Sequence, residues 1–203
     1  MISRELELLH KIHRRRKVQL RGKITRKSVA FVRGKLERLS RDSHKPICLN
    51  ISSGGGDFWA AMEIYRMVKE CPVPVFGVVS HAYSGALLVL QGCRLRVGRV
   101  NSRYGVSPVH HDHSVRVTPY TDPRLVASVV EEHLSRTITP YMREVWAQAH
   151  EILLERVSSV GKTESDLHKL LAHGGTILSA KDALKWGFID CVVRNPRLPS
   201  STC

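Results

Sequence analysis

Acidic residues are scarce in this chain: 18 Asp and Glu stand against 32 Lys and Arg, a formal net charge of +14 over 203 residues. Aromatic residues make up only 6%, and none falls inside the most basic stretch, His10 to Lys27, which therefore lacks the stacking surfaces of a single-strand nucleic-acid binder. No apolar run is long enough to span a membrane, and the start Met1-Ile2-Ser3-Arg4-Glu5 has no apolar core of a secretory signal. The five cysteines, Cys48, Cys71, Cys93, Cys191 and Cys203, are scattered, odd in number and without a C-x-x-C pair. Neither a disulfide framework nor a thiolate zinc site is expected, and the chain reads as cytoplasmic. Internal repeats and a domain linker are also missing.

What is present suits one compact α/β domain. Hydrophobic residues reach 42%, enough for a sizeable core and too many for disorder. The basic run can hold phosphates or an acidic partner by Coulomb attraction, so a basic nucleic-acid-binding module is one function class to weigh. Otherwise the run is a solvated arm.

Strand and helix patterns alternate along the chain. Val18 to Leu20 predicts a short strand, and Val29, Val32, Leu36 and Leu39 recur at helical spacing. Ile47 to Ile51 is β-branched and ends in the turn Ser52-Ser53-Gly54-Gly55-Gly56. Asp57 is placed to open a helix with Ala60, Ala61, Ile64, Met67 and Val68 on one face, stopped at Pro72. Val73 to Val79 is the continuous apolar run expected of a strand covered on both faces. Gly85 to Gln91 predicts a buried helix, followed by strands near Leu95 to Val97 and Ser102 to Val106. His110 to Thr121 reads as a polar loop. A helix is expected from Asp122-Pro123 through Glu155, bent or broken near Pro140. Thr163 to Asp166 and Ser179 to Asp182 resemble capping boxes, and Cys191 to Val193 is a last strand.

Four segments carry a resemblance. Ile51 to Gly56 is similar to an Ile-Asn-Ser-Pro-Gly-Gly turn, with Ser52 for Asn and Gly54 for Pro. Gly85-Ala86-Leu87-Leu88 with Gly92 is similar to a nucleophile helix, and Asn101-Ser102-Arg103 to the strand that precedes a catalytic histidine. Ile177-Leu178-Ser179-Ala180 through Gly187-Phe188-Ile189-Asp190 is similar to a late Leu-Ser-Ala…Gly-Leu-Ile-Asp segment. Together, and in this order, they resemble the Clp protease proteolytic subunit family. The resemblance implies a crotonase-like spiral of β-β-α units over residues 18–193; composition adds a basic segment ahead of it (1–17) and a Pro- and Ser-rich tail (194–203) expected to be mobile. The resemblance also implies a serine-type endopeptidase lineage, ring assembly, and an unfolding ATPase as partner.

The side chains in the implied site depart from that lineage. The serine, histidine and aspartate slots hold Tyr83, Ser107 and Leu171. Acyl transfer needs a hydroxyl nucleophile, an imidazole to accept its proton, and a carboxylate to orient the ring. A tyrosine oxygen, with a solution pKa of about 10, is too good a leaving group for a useful acyl intermediate, and a leucine orients nothing. The amides of Gly55, Gly56 and Ser84 match the backbone donors that hold the oxyanion. The expected role is a non-catalytic or weakly active subunit, in a homo-oligomer or a mixed ring with active Clp subunits.

The alternative is an active peptidase acting on peptide substrates, shifted by one residue. Ser84 would then be the nucleophile, His81 or His110 the base, and Asp112 or Asp166 the orienter. One helical position turns a side chain by about 100 degrees, which weighs against that shift. His110-His111-Asp112-His113 offers zinc or nickel ligands only if the loop folds around an ion, and no fourth ligand is evident. No metal or other cofactor is expected.

Overall fold

The computed structural model describes residues 2–107, 139–172, 175–194 and 201–202. Helix α1 (Ile2–His10) and a 3₁₀ turn (Arg14–Arg16) lead into β1 (Lys17–Arg21), α2 (Arg26–Asp42), β2 (Ile47–Ser53), α3 (Phe58–Lys69) and β3 (Val75–Tyr83). Then follow α4 (Gly85–Gln91), β4 (Leu95–Val106), α5 (Thr139–Ser158), α6 (Glu164–Leu171), β5 (Thr176–Ser179), α7 (Ala180–Lys185), β6 (Cys191–Val193) and β7 (Ser201–Thr202).

The strands form one sheet in the order β1-β2-β3-β4-β6-β7, with β5 pairing off this path to β4. Neighbours from β1 to β6 are parallel, while β5 and β7 are antiparallel additions. Parallel neighbours need crossovers, and α2, α3 and α4 supply them in turn. Alternation along each strand sends Ile47, Leu49, Ile51, Val75 and Val79 into the main core, under α2 to α7. Cys48, Phe76 and Val78 face the other way, into a second core. Both faces of β3 are therefore covered, which is why its sequence is continuously apolar.

The cover on the second face is α1. Leu6 and Leu9, three positions apart and so on one helix face, are buried against Cys48, Phe76, Leu95, Val97 and Cys191. The N-terminal segment expected to stand ahead of the domain is thus built into it. The basic run is not wholly solvated either, because Arg16 is buried against the end of α2. Within the expected tail, Ser201 pairs with Val193 and Thr202 with Val192.

Local signals act where the sequence places them. Asp57 accepts from the Ala60 amide at 2.6 Å and starts α3. Thr163 and Ser179 accept from the amides of Asp166 and Asp182, each at 3.2 Å. Pro140 is the second residue of α5 as described. The expected start at Asp122-Pro123 lies outside the described residues. Leu95 to Val106 forms one strand, but its pairing with β3 jumps from Gly98 to Arg103, so two segments are recognisable. Arg96 ties β4 to the entry of β6: its guanidinium meets Asp190 at 2.5 and 3.1 Å and Gln91 at 2.9 Å.

Candidate active-site pocket

The site lies where β3 hands over to α4. Tyr83 ends β3 opposite Gly105 of β4, and Ser84 follows with φ +50° and ψ −123°. Ser84 is the one described non-glycine residue with positive φ. Such a backbone costs about 1–3 kcal/mol and persists only where its surroundings hold it. Here they do: the Ser84 amide donates to Gly105 O at 3.0 Å, and its carbonyl accepts from Leu87 and Leu88 at 2.9 and 3.3 Å. Its hydroxyl makes no capping bond to α4.

The glycine turn after β2 closes over this elbow. A Cβ on Gly55 would come within 2.8 Å of Tyr83 O and 3.1 Å of Ser84 Cβ, and its φ of +90° is itself a glycine conformation. Ser84, Gly85, Gly56, Gly105, Ser107, His150 and Leu171 line one pocket, whose apolar walls are Phe58, Leu87, Leu88, Val106 and Leu153.

Two of the three positions expected to be triad slots, Ser107 and Leu171, thus meet at this pocket. Tyr83, the third, is turned out of its lining. The Tyr83 ring lies across Gly105, where an added Cβ would touch it at 2.8 Å, and beside the His81 ring at 5.6 Å between centroids. Ser84 takes its place on the pocket wall, so the one-residue rotation does not remove it from the site. His81 is directed elsewhere, its Nδ1 3.3 Å from Ser52 Oγ. Asp166 is engaged as a helix cap: its carboxylate accepts from the Thr163 amide at 3.0 Å and hydroxyl at 2.9 Å. Those bonds, the backbone one first, hold its pKa below the usual carboxylate value. Neither His81 nor Asp166 lines the pocket. His110 and Asp112, with the rest of the His110–His113 cluster, lie outside the described residues.

The expected oxyanion donors need correction. The Ser84 amide is spent on Gly105 O, because the sheet ladder between β3 and β4 runs one residue past Tyr83. The Gly55 amide donates to Ser53 Oγ at 3.1 Å inside the turn. Gly56 remains on the pocket wall, and Gly85 joins it as the first residue of α4. Neither of these two amides has an acceptor among the described residues.

His150 is the site residue that sequence reasoning missed. It stands on α5, mostly buried, with Nε2 3.5 Å from Glu164 Oε1. The His168 ring lies 5.2 Å away between centroids. The spacing of Glu164 and His168, four apart, was a signal in the sequence. The contribution of His150 required knowing that α5 packs on α6.

A parallel-sheet α/β scaffold with a strained serine at a strand-to-helix elbow, faced by a glycine turn, is the framework of a serine-type hydrolase. A Clp protease family model matches residues 3–107, just over half of the chain, and the chain belongs to that family. Among solved structures it is similar to a point mutant of ClpP1 from Listeria monocytogenes. That match has a TM-score of 0.67 at 17% identity and covers 95% of each chain. The likeness establishes the crotonase-like fold expected from the sequence. No curated protein matches. Among the described residues, no helix is long and apolar enough to cross a membrane.

Proposed function

We propose that this chain is a non-catalytic or weakly active subunit of a ring-forming Clp-type assembly, working through its fold and its partners more than through bond cleavage. The observation that carries this reading is the pocket itself. Ser107 and Leu171, the residues the resemblance sets at the imidazole and carboxylate slots, line the same cavity as Ser84. A serine whose base and orienting carboxylate are missing from those two positions loses several orders of magnitude in rate, unless His150, on the same lining, replaces the base. The apolar walls still suit an apolar peptide side chain. The partners this implies are further copies of the chain or active Clp subunits, and an unfolding ATPase.

Sedimentation of the purified chain, alone and co-expressed with an active Clp subunit, tests the assembly role. A ring-sized homo- or hetero-oligomer is the expected result; a monomer under both conditions rules the role out.

A second reading is favoured by one observation. The φ of +50° at Ser84 is held against its conformational cost and presents the residue to a pocket that also contains an imidazole, that of His150. In this reading Ser84 is the nucleophile of an active hydrolase. A fluorophosphonate adduct mapped to Ser84, absent in Ser84→Ala and retained in Tyr83→Phe, would establish it. A folded, unlabelled protein beside a labelled positive control leaves the non-catalytic reading.

A further inference from the structure

We propose that His150, Glu164 and His168 form a binding site for one divalent transition-metal ion, with Zn²⁺ the best match to the donors. Glu164 opens α6, His168 follows one turn later on the same face, and α5 brings His150 against both. His150 Nε2 is 3.5 Å and His168 Nε2 3.9 Å from the same oxygen, Glu164 Oε1. All three ligand atoms lie within 4.8 Å of one another. Around a tetrahedral ion with bonds of about 2.0–2.1 Å, neighbouring donors sit about 3.4 Å apart. The two distances to Glu164 and the 4.8 Å limit on the set exceed that, so binding needs the side chains of Glu164 and His168, each 58% exposed, to close in on the ion.

The donor types narrow the ion. Two imidazole nitrogens and one carboxylate oxygen are a set that Zn²⁺ and its neighbours take, leaving a fourth position for water. Mg²⁺ and Ca²⁺ favour oxygen ligands throughout. The rival explanation is a plain ion pair between Glu164 and a protonated ring. The i, i+4 spacing by itself brings His168 to Glu164; what it does not supply is His150, which α5 adds on the same carboxylate oxygen. His150 also lines the pocket beside Ser84. An ion here would fasten α5 to α6 at the wall of the pocket, whether or not Ser84 reacts.

The test uses the full-length chain, stripped with chelator and titrated with Co²⁺ and Zn²⁺. We expect one ion per chain, Co²⁺ d–d absorption without a thiolate charge-transfer band, and a rise in Tm with Zn²⁺. Glu164→Gln and His168→Asn should each weaken binding by about tenfold or more, the lower bound set by effects of ligand-supporting residues. Both side chains are largely exposed, so the metal-free variants should fold, as their circular dichroism and Tm would verify. The triple variant His110→Asn, His111→Asn, His113→Asn should bind as the parent does. Absence of stoichiometric uptake would overturn the proposal. So would uptake that survives both site variants, or that disappears in the triple variant.

Discussion

Arg16 shows how one side chain can serve several backbone groups at once. Its guanidinium donates to Leu39 O at 2.9 Å, to Pro46 O and Ser43 O at 3.2 Å each, and to Lys45 O. These carbonyls belong to the last turn of α2 and the chain leaving it, where helical partners run out and a positive charge is favoured. Arg16→Met should therefore lower the unfolding free energy by about 2–3 kcal/mol, the scale of lost charge-assisted hydrogen bonds with acceptors left buried. Arg14→Met and Arg15→Met, at exposed positions, should stay within about 0.5 kcal/mol. Urea titration of the three variants measures the difference. Nothing in the run Arg14-Arg15-Arg16-Lys17 distinguishes its third arginine, because burial is set by where α2 ends. The same limit applies in the site. The expected slots Tyr83, Ser107 and Leu171 rest on their distance to neighbouring motifs, and two of them line the pocket with Ser84. The outward turn of Tyr83 and the arrival of His150 were not legible in the sequence, since both depend on packing between distant segments.

At the scale of elements, the elbow between β3 and α4 concentrates the strain. Ser84→Gly removes a side chain that disfavours φ +50°, relieving about 1–3 kcal/mol, while glycine costs about 0.5–1 kcal/mol of extra unfolded-state entropy. The net expectation is a gain of about 1 kcal/mol over wild type, whereas Ser84→Ala keeps the strained backbone and should gain nothing comparable. Equal stability of the two variants would mean that the elbow is not strained. Elements with a strong local signature are legible in the amino-acid pattern alone. The continuous run of β3, the helically spaced apolar positions of α2 and the caps of α3, α6 and α7 are cases in point. Helix α1 went unassigned although Ile2, Leu6 and Leu9 recur at helical spacing, because it is short and runs into the basic stretch that dominates this end of the sequence. Strand β5 escaped it because its four residues include Ile177, 69% exposed, and its partners lie on β4, from Arg103 to Val106.

For the whole molecule, the two cores on opposite faces of the sheet make a joint prediction about alkaline pH. Cys48 sits in the core sealed by α1 and Cys93 in the main core. Burial pushes the Cys48 thiol up to about 11, against smaller lowering by Lys17 and Arg99. Burial also raises Cys93, and raises Tyr104 against an opposing hydrogen bond from Ser102. In each case the native state keeps a proton that the unfolded chain releases earlier. Unfolding is then favoured as pH climbs past the ordinary thiol value of 9.0, and for Cys48 the loss continues until the native thiol titrates near 11. The slope is about 1.4 kcal/mol per pH unit for each such group. One effect opposes it: deprotonating lysines reduces the self-repulsion of a chain with a net charge of +14. That relief is spread over exposed, solvent-screened charges and starts only near pH 10, so the buried thiols should dominate between about pH 9 and 10. Stability measured by urea titration should be level up to about pH 8.5 and fall beyond it. The Cys48→Ala, Cys93→Ala double variant, though less stable at neutral pH, should show a shallower fall. Deleting residues 1–10 should free the thiols of the core that α1 seals, Cys48 and Cys191, to react with a maleimide at pH 8 while Cys93 stays protected. If Cys93 became reactive together with them, α1 would be holding the whole fold and not one face of it.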